Sequence, residues 1–282
     1  MICAWKELIG IIPERMRRDV DRLGSVSMQE LRLRIGKPPE LVMEDSSHWL
    51  AGAVSRDELL FCINAASRYS PWSAGSAASG YLTAAGGHRI GLCGEVTGGG
   101  REACGVNNPT SICIRVARDF PGIAEKLDTC SGSVLILGPP GSGKTTLLRD
   151  LIRQISTRDT GSVCVVDERG ELFPFSRGVS CFDTGKKTDI LTGCGKASGI
   201  DMALRTMGPA TVAVDEITAE EDCEALLRAG WCGVRLLATA HAADAEDLRS
   251  RPVYRKLYES RLFSTVAILG KNKSWELERV AS

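Results

Sequence analysis

A chain of 282 residues, 43% hydrophobic and 25% charged, has an ordinary globular composition and enough length for two domains. Its 35 Lys and Arg balance its 35 Asp and Glu, so the formal net charge is zero. That balance argues against a dedicated nucleic-acid binder, whose electrostatic footprint is basic.

The first half reads as a smaller α+β domain over residues 1–118. A helix is expected near Cys3–Arg18 and another near Arg56–Ser67. Two extended pieces, LRLRI (31–35) and ELVME (40–44), meet across a Lys37–Pro38–Pro39 turn. HRIGLCGEV (88–96) lies between the Gly86–Gly87 pair and the Gly98–Gly100 run, and SICIRVA (111–117) follows Asn107–Pro109. The DFPG segment, Asp119–Gly122, breaks the pattern and marks the domain boundary.

From residue 119 to 282 the texture changes. VLIL (134–137), VCVV (163–166), TVAV (211–214), VRLLATA (234–240) and STVAIL (264–269) are short, nearly continuous apolar runs. Such runs are buried on both faces, as in a parallel sheet covered by helices. Helices are expected between them at Lys144–Thr157, Gly199–Met207, Ala219–Ala229, Asp244–Arg249 and Pro252–Ser260. The alternation predicts a doubly wound α/β domain.

The 11 cysteines are scattered singly, with no C-x-x-C pair. That pattern reads as reduced thiols, several of them small hydrophobes inside apolar runs, such as Cys113 and Cys164. The stretch Met1–Gly10 lacks the basic region and long apolar run of a signal peptide, and no stretch approaches 18 apolar residues. A soluble cytosolic chain is expected, one that could dock on a membrane protein.

Residues 138–145 read GPPGSGKT, a full match to G-x-x-x-x-G-K-[ST], with a strand before and a helical pattern after. Gly138, Gly141 and Gly143 let backbone N–H groups wrap an anion, and Pro139, Pro140, Ser142 and Thr146 complete the loop and its helix start. Lys144 supplies a charge to the β- and γ-phosphates of ATP, and the Thr145 hydroxyl is a Mg²⁺ ligand. TVAVDE (211–216) is a buried strand ending in two carboxylates. Asp215 there can hold Mg²⁺ through water, and Glu216 can polarise the attacking water. VVDERGE (165–171) is a second strand ending in acids, Asp167, Glu168 and Glu171, which calls for a cation beside it. LLATAHA (236–242) delivers His241 to a strand end, where it can sense the γ-phosphate.

These motifs in this order resemble the secretion-type hexameric ATPases, the family of type II secretion and type IV pilus motors. GPPGSGKT, VVDERGE, TVAVDE and ATAHA would be that family's P-loop, Asp box, Walker B strand and His box. ALRTMGPATVAVDEI (203–217) resembles the family's approach to Walker B. Over residues 28–270 the chain resembles more closely the stage III sporulation protein AA family, through ELRLRIGKPPELV (30–42), GYLTAAGGHRIGLCGEV (80–96), SICIRVAR (111–118), LGPPGSGKTTLLRD (137–150) and EEDCEALL (220–227). Thr218 and Ala242 stand where that pattern usually has glycine.

The resemblance implies a RecA-like P-loop NTPase core behind the smaller α+β domain, and Mg²⁺-dependent ATP hydrolysis. It implies a homo-hexamer whose sites are completed in trans by Arg89 and Arg115. It further implies a motor at the mother-cell inner membrane that serves the mother cell–forespore channel with a membrane platform protein. Whether Glu168 or Glu216 is the base stays open. Two rivals share the P-loop. A RecA-like motor on nucleic acid is disfavoured by zero net charge and the lack of a basic, aromatic-rich groove. A nucleotide-dependent scaffold is disfavoured by Asp215, Glu216 and Glu168.

Overall fold

Apolar and polar side chains alternate along the strands of the first half, so each strand can present one face to a core. The computed structural model describes residues 1–25, 27–67, 80–97, 105–127, 132–158, 161–176, 178–270 and 274–279. The Gly98–Gly100 run, Cys104 and Cys130 lie outside the described residues. The chain divides into two compact units, Met1–Asp119 with Pro174–Cys181, and Phe120–Phe173 with Phe182–Ser282.

In the first unit β1 (Glu30–Arg34), β2 (Glu40–Val42), β3 (Ser47–Trp49), β4 (Tyr81–Thr83), β5 (Arg89–Thr97) and β6 (Gly105–Arg115) form an antiparallel sheet in the order β3-β2-β1-β6-β5-β4. Leu31, Leu33, Leu41, Leu82, Ile90, Ile112 and Ile114 are buried in one core with side chains of α1 (Trp5–Gly10), α2 (Glu14–Gly24) and α3 (Arg56–Ser67). The single helix expected over Cys3–Arg18 is two helices, with the break at Ile11–Pro13. Pro13 has no N–H for the preceding turn, and its ring disfavours helical backbone at Ile12. It caps the start of α2 instead, at φ −55°. The strand residues between the buried ones, Glu30, Arg32, Arg34, Arg89 and Arg115 among them, share the opposite face of the sheet.

In the second unit β7 (Ser133–Leu137) and β8 (Val163–Asp167) come first. The chain then contributes the hairpin β9 (Phe175–Ser176) and β10 (Val179–Ser180) to the first unit, a return that the sequence reading left with the second domain. It resumes with β11 (Thr188–Thr192), β12 (Thr211–Ile217), β13 (Arg235–Ala240), β14 (Phe263–Leu269) and β15 (Trp275–Arg279). The sheet order is β11-β8-β12-β13-β7-β14-β15, parallel except for β15. The five expected apolar runs are β7, β8, β12, β13 and β14. The helices are α4 (Lys144–Thr157), α5 (Lys196–Thr206), α6 (Glu220–Trp231), α7 (Ala245–Ser250) and α8 (Pro252–Glu259). Leu135, Leu137, Val212, Val214, Leu236 and Ala238 share a core with residues of α5 to α8. The alternate residues Val134, Ile136, Ala213 and Leu237 point to the other face, along which α4 runs.

Cys62, Cys164 and Cys223 are buried free thiols, and burial pushes Cys62 and Cys223 up to about 12 and Cys164 to about 11. They stay protonated and act as core atoms.

His88 ties the first unit together. It is 0% exposed, its Nε2 lies 2.9 Å from the Ala4 carbonyl oxygen, and its Nδ1 accepts the Ala117 N–H at 3.1 Å. Nε2 therefore carries the hydrogen. Burial holds the ring's pKa below the ordinary histidine value. The unfolded chain then takes up a proton first as the pH drops below about 6.5, so stability is complete above that value and declines below it. Thermal melting from pH 7.5 to 5.5 should show this decline. His88→Leu should flatten it and lower stability by about 1–3 kcal/mol through the unpaired Ala117 N–H and Ala4 carbonyl.

Candidate active site

The turn from β7 to α4 is built by its glycines. Gly141 and Gly143 take φ values of +75° and +99°, which side chains resist. A Cβ on Gly138 would lie 2.7 Å from Ser142 Oγ and 2.8 Å from the Leu269 carbonyl oxygen. Pro139 and Pro140 complete the turn, and Lys144, Thr145 and Thr146 form the first turn of α4, where unpaired N–H groups favour an anion.

Lys144 is 6% exposed. Its Nζ donates to the carbonyl oxygens of Gly138 at 2.8 Å and Pro139 at 2.9 Å, and lies 3.1 Å from His241 Nδ1. An ammonium only donates, so Nδ1 accepts and the ring hydrogen sits on Nε2. Nε2 donates to Glu216 Oε1 at 2.5 Å. Burial lowers the Lys144 pKa, opposed by the charges of Asp215 and Glu216. Beside this chain, Thr145 Oγ1 donates to Asp215 Oδ2 at 2.7 Å. Thr239 Oγ1 donates to Asp215 Oδ1 at 2.6 Å and accepts the Glu216 N–H at 2.7 Å.

The second acidic strand end lies on β8, next to β12. Asp167 turns inward, its two oxygens accepting the N–H groups of Glu171 at 2.8 Å and Phe173 at 2.9 Å. Burial pushes its carboxyl up to about 6. Glu168 meets the expected cation within the protein: Lys196 Nζ at the start of α5, 7% exposed, donates to Glu168 Oε2 at 2.6 Å. Arg169 Nη1 stands 3.6 Å from Glu216 Oε2. Asp167, Glu168, Arg169, Glu171, Lys196, Asp215 and Glu216 line one recess.

Lys144, Thr145, Asp215, Glu216 and His241 thus form one hydrogen-bonded group, with Glu168 in the adjoining recess. Arg89 and Arg115 belong to the first unit, where they are cross-strand partners. Arg89 stacks 4.1 Å over the Tyr81 ring, and Arg115 Nε lies 3.5 Å from Glu30 Oε1. Sequence reasoning missed Thr239, Lys196 and Arg169. Thr239 was inside the motif that delivered His241, and Arg169 inside VVDERGE, but only the pairing of strands gives them partners. Thr218 and Ala242 take ordinary backbone angles, since positive φ outside glycine is confined, among the described residues, to Asn108, Glu216 and Arg261.

The residues fit a nucleotide with Mg²⁺. Ser142 Oγ is buried with no partner among the described residues, inside the loop that would wrap the phosphates. A hydroxyl and a carboxylate, Thr145 and Asp215, are the oxygen donors that Mg²⁺ takes while keeping waters and substrate oxygens. Among the described residues no group of three or more His, Cys, Asp or Glu side chains is arranged to hold a metal by itself.

A family model described as Sporulation stage III, protein AA matches residues 6–278. Stage III sporulation protein AA of Bacillus subtilis (strain 168) is 35% identical over 280 residues, which is 95% of this chain and 91% of that protein. Among solved structures, the pilus retraction motor PilT with bound ADP is similar at a TM-score of 0.63 and 15% identity, over 95% of this chain and 83% of that one. The ATPase DotB of Legionella pneumophila is similar at 0.57 and 19% identity, over 95% of this chain and 80% of that one. The fold is the expected one, a RecA-like P-loop core with a parallel sheet, preceded in the chain by a smaller α+β unit.

Lys196→Met strands the half-exposed Glu168 carboxylate without its cation. It should lower stability by about 1–3 kcal/mol, between the values for exposed and fully buried pairs. Adding Glu168→Gln removes the stranded charge and should recover most of that loss, as read by urea midpoints of the two variants.

Proposed function

Because the chain belongs to the Sporulation stage III, protein AA family, we propose that it is a Mg²⁺-dependent ATPase motor that powers assembly of, or transport through, the mother cell–forespore channel during endospore formation. The observation that carries this reading is the continuous chain from Lys144 through His241 to Glu216, with Thr145 and Asp215 joined beside it. A phosphate loop, a cation-binding hydroxyl–carboxylate pair and a carboxylate poised for water then meet at the ends of the neighbouring central strands β7, β13 and β12.

The loop residues Gly138, Pro139, Pro140, Gly141, Ser142 and Gly143 and the start of α4 bind the triphosphate through backbone N–H groups. Lys144 exchanges its loop carbonyls for phosphate oxygens. Thr145 and Asp215 are the residues that would hold Mg²⁺. When bound, Mg²⁺ would neutralise the negative charge that develops on the phosphate oxygens. Glu216 orients the attacking water, and Glu168 is the second carboxylate of the site. His241 links Glu216 to Lys144, so a γ-phosphate that draws Lys144 away is felt at Glu216.

In this reading the chain works as a homo-hexamer in which Arg89 and Arg115 complete the neighbour's site. No described helix is long and apolar enough to cross a membrane. In the same reading the motor acts on a partner, a membrane platform protein of the channel complex, from the cytoplasmic side of the mother-cell inner membrane.

Lys144→Ala and Glu216→Gln should each lower ATP turnover by about 10²-fold or more, and Glu216→Gln should keep ATP bound. A phosphate-release assay checks this; wild-type turnover in Lys144→Ala would end the reading. Adding single-stranded DNA to the assay should change nothing, and stimulation would favour a nucleic-acid motor.

An arginine supplied to a neighbour's site is worth about 10³-fold. Mixing inactive Arg89→Ala chains with inactive Lys144→Ala chains should restore part of the turnover that neither has alone. Full activity of both Arg89→Ala and Arg115→Ala would remove the arrangement in trans.

A further inference from the structure

Strand β12 does not run straight into its acidic end. It pairs with β13 through Val214 and Ala238, and the pairing resumes at Ile217 and Ala240. Two residues of β12, Asp215 and Glu216, therefore face one residue of β13, Thr239. Such a bulge re-aims a side chain and leaves ladder groups unpaired. Glu216 absorbs the extra length with φ +55°, a left-handed angle that a non-glycine residue holds only when its surroundings impose it.

Those surroundings are three side chains, Thr239, Tyr254 and Asp222. Thr239 is 0% exposed, and its hydroxyl works in both directions. It accepts the Glu216 N–H at 2.7 Å, the donor that the bulge removed from the ladder, and donates to Asp215 Oδ1 at 2.6 Å. On the far side of the bulge the buried Tyr254 hydroxyl, from α8, donates to the Ile217 carbonyl oxygen at 2.8 Å. Asp222 Oδ2 then accepts the N–H groups of Thr218 and Ala219 at 3.2 Å each. Thr239 alone touches both acids: it sets the backbone of Glu216 and the carboxylate of Asp215.

We infer that Thr239 is a positioning residue for hydrolysis, its single hydroxyl pinning Asp215 against Thr145 and the strained Glu216 against His241. The inference rests on the ATPase reading above. Valine in its place keeps the shape and both branches but neither donates nor accepts. The Glu216 N–H then has no partner, the bulge relaxes, and Glu216 leaves its line with His241. The glycine loop lies on another strand and helix, and Asp215 keeps its bond from Thr145, so nucleotide should still bind.

The experiment compares wild type, Thr239→Val, Thr239→Ser, Tyr254→Phe and Lys144→Ala. Each is measured for ATPase kcat and KM, affinity for a fluorescent ATP analogue, and thermal melting. Displacement of a catalytic group by about 1 Å can cost about 10²-fold. Thr239→Val should lose about 10- to 100-fold in kcat, with KM and analogue affinity within about threefold of wild type. Thr239→Ser should restore most of kcat, because the two-way hydroxyl is what matters. Tyr254→Phe should lose a few-fold, since it steadies only one side. Wild-type kcat in Thr239→Val overturns the inference. So does a Thr239→Ser variant as slow as Thr239→Val, or a loss of analogue affinity that matches the loss of kcat. A wild-type chain that turns over no faster than Lys144→Ala removes the ATPase reading, and the inference falls with it.

Discussion

The candidate site is organised by one constraint: a positive charge on Lys144 held almost out of water. A desolvated ammonium needs acceptors on every side, and it has three, two loop carbonyls and one imidazole nitrogen. Because an ammonium offers only donors, it dictates the tautomer of His241. That tautomer in turn places a hydrogen between His241 and Glu216. The charges of Asp215 and Glu216 oppose the effect of burial on Lys144. The loop, the histidine and the acids are therefore one electrostatic unit. Within the proposed function, a phosphate entering the loop would compete directly for the donor on which the rest is arranged.

The unit exists because of strand order. In chain order the phosphate loop comes first, then β8, then the acids of β12, then the histidine of β13. In the sheet β13 lies between β12 and β7. His241 is last in sequence and central in space, which is why it reaches Lys144 on one side and Glu216 on the other. The sequence shows each strand as an apolar run with a polar end, so four strand ends in one crevice were legible. Their order was not, because buried parallel strands read alike whatever their neighbours. Lys196 was illegible for a related reason. Its helix begins three residues before the expected Gly199. Gly199 then lies so close to β8 that a Cβ there would sit 2.4 Å from Val166 Cγ1. That close approach, a property of two packed elements, is what brings Lys196 to Glu168.

What escaped the sequence elsewhere follows the same logic. β3 and β4 are three residues each, too short for a period of two to declare itself, and every residue of β3 is exposed. β11 and β15 close the edges of the second sheet. Neither has the continuous apolar run of a central strand, because each has a neighbour on only one side. The hairpin of β9 and β10 forms its own two-stranded sheet among the described residues and joins the first unit by contacts made far along the chain. By contrast, α4 was legible to the residue, since the phosphate loop defines its start.

The two carboxylates that the sequence left equivalent are treated differently by the fold. Glu168 follows a regular strand end and is matched by one buried ammonium at 2.6 Å. Removing that ammonium strands a charge, so Lys196 and Glu168 are best understood as a pair that neutralises the recess. Among the described residues Glu216 has no buried ammonium of this kind. It shares a neutral imidazole hydrogen with His241 and stands 3.6 Å from an Arg169 that is more than half exposed. It also holds the one strained backbone angle in the strand-end cluster. Strain of order 1–3 kcal/mol persists only where neighbours over-determine it, and here Thr239, Tyr254 and Asp222 do so. A carboxylate that is incompletely paired and mechanically aimed is the better arrangement for gripping a water. A carboxylate already satisfied by a buried cation is the better arrangement for holding the recess together. Within the proposed function, this asymmetry supports Glu216 as the water-orienting group and Glu168 as its electrostatic counterweight.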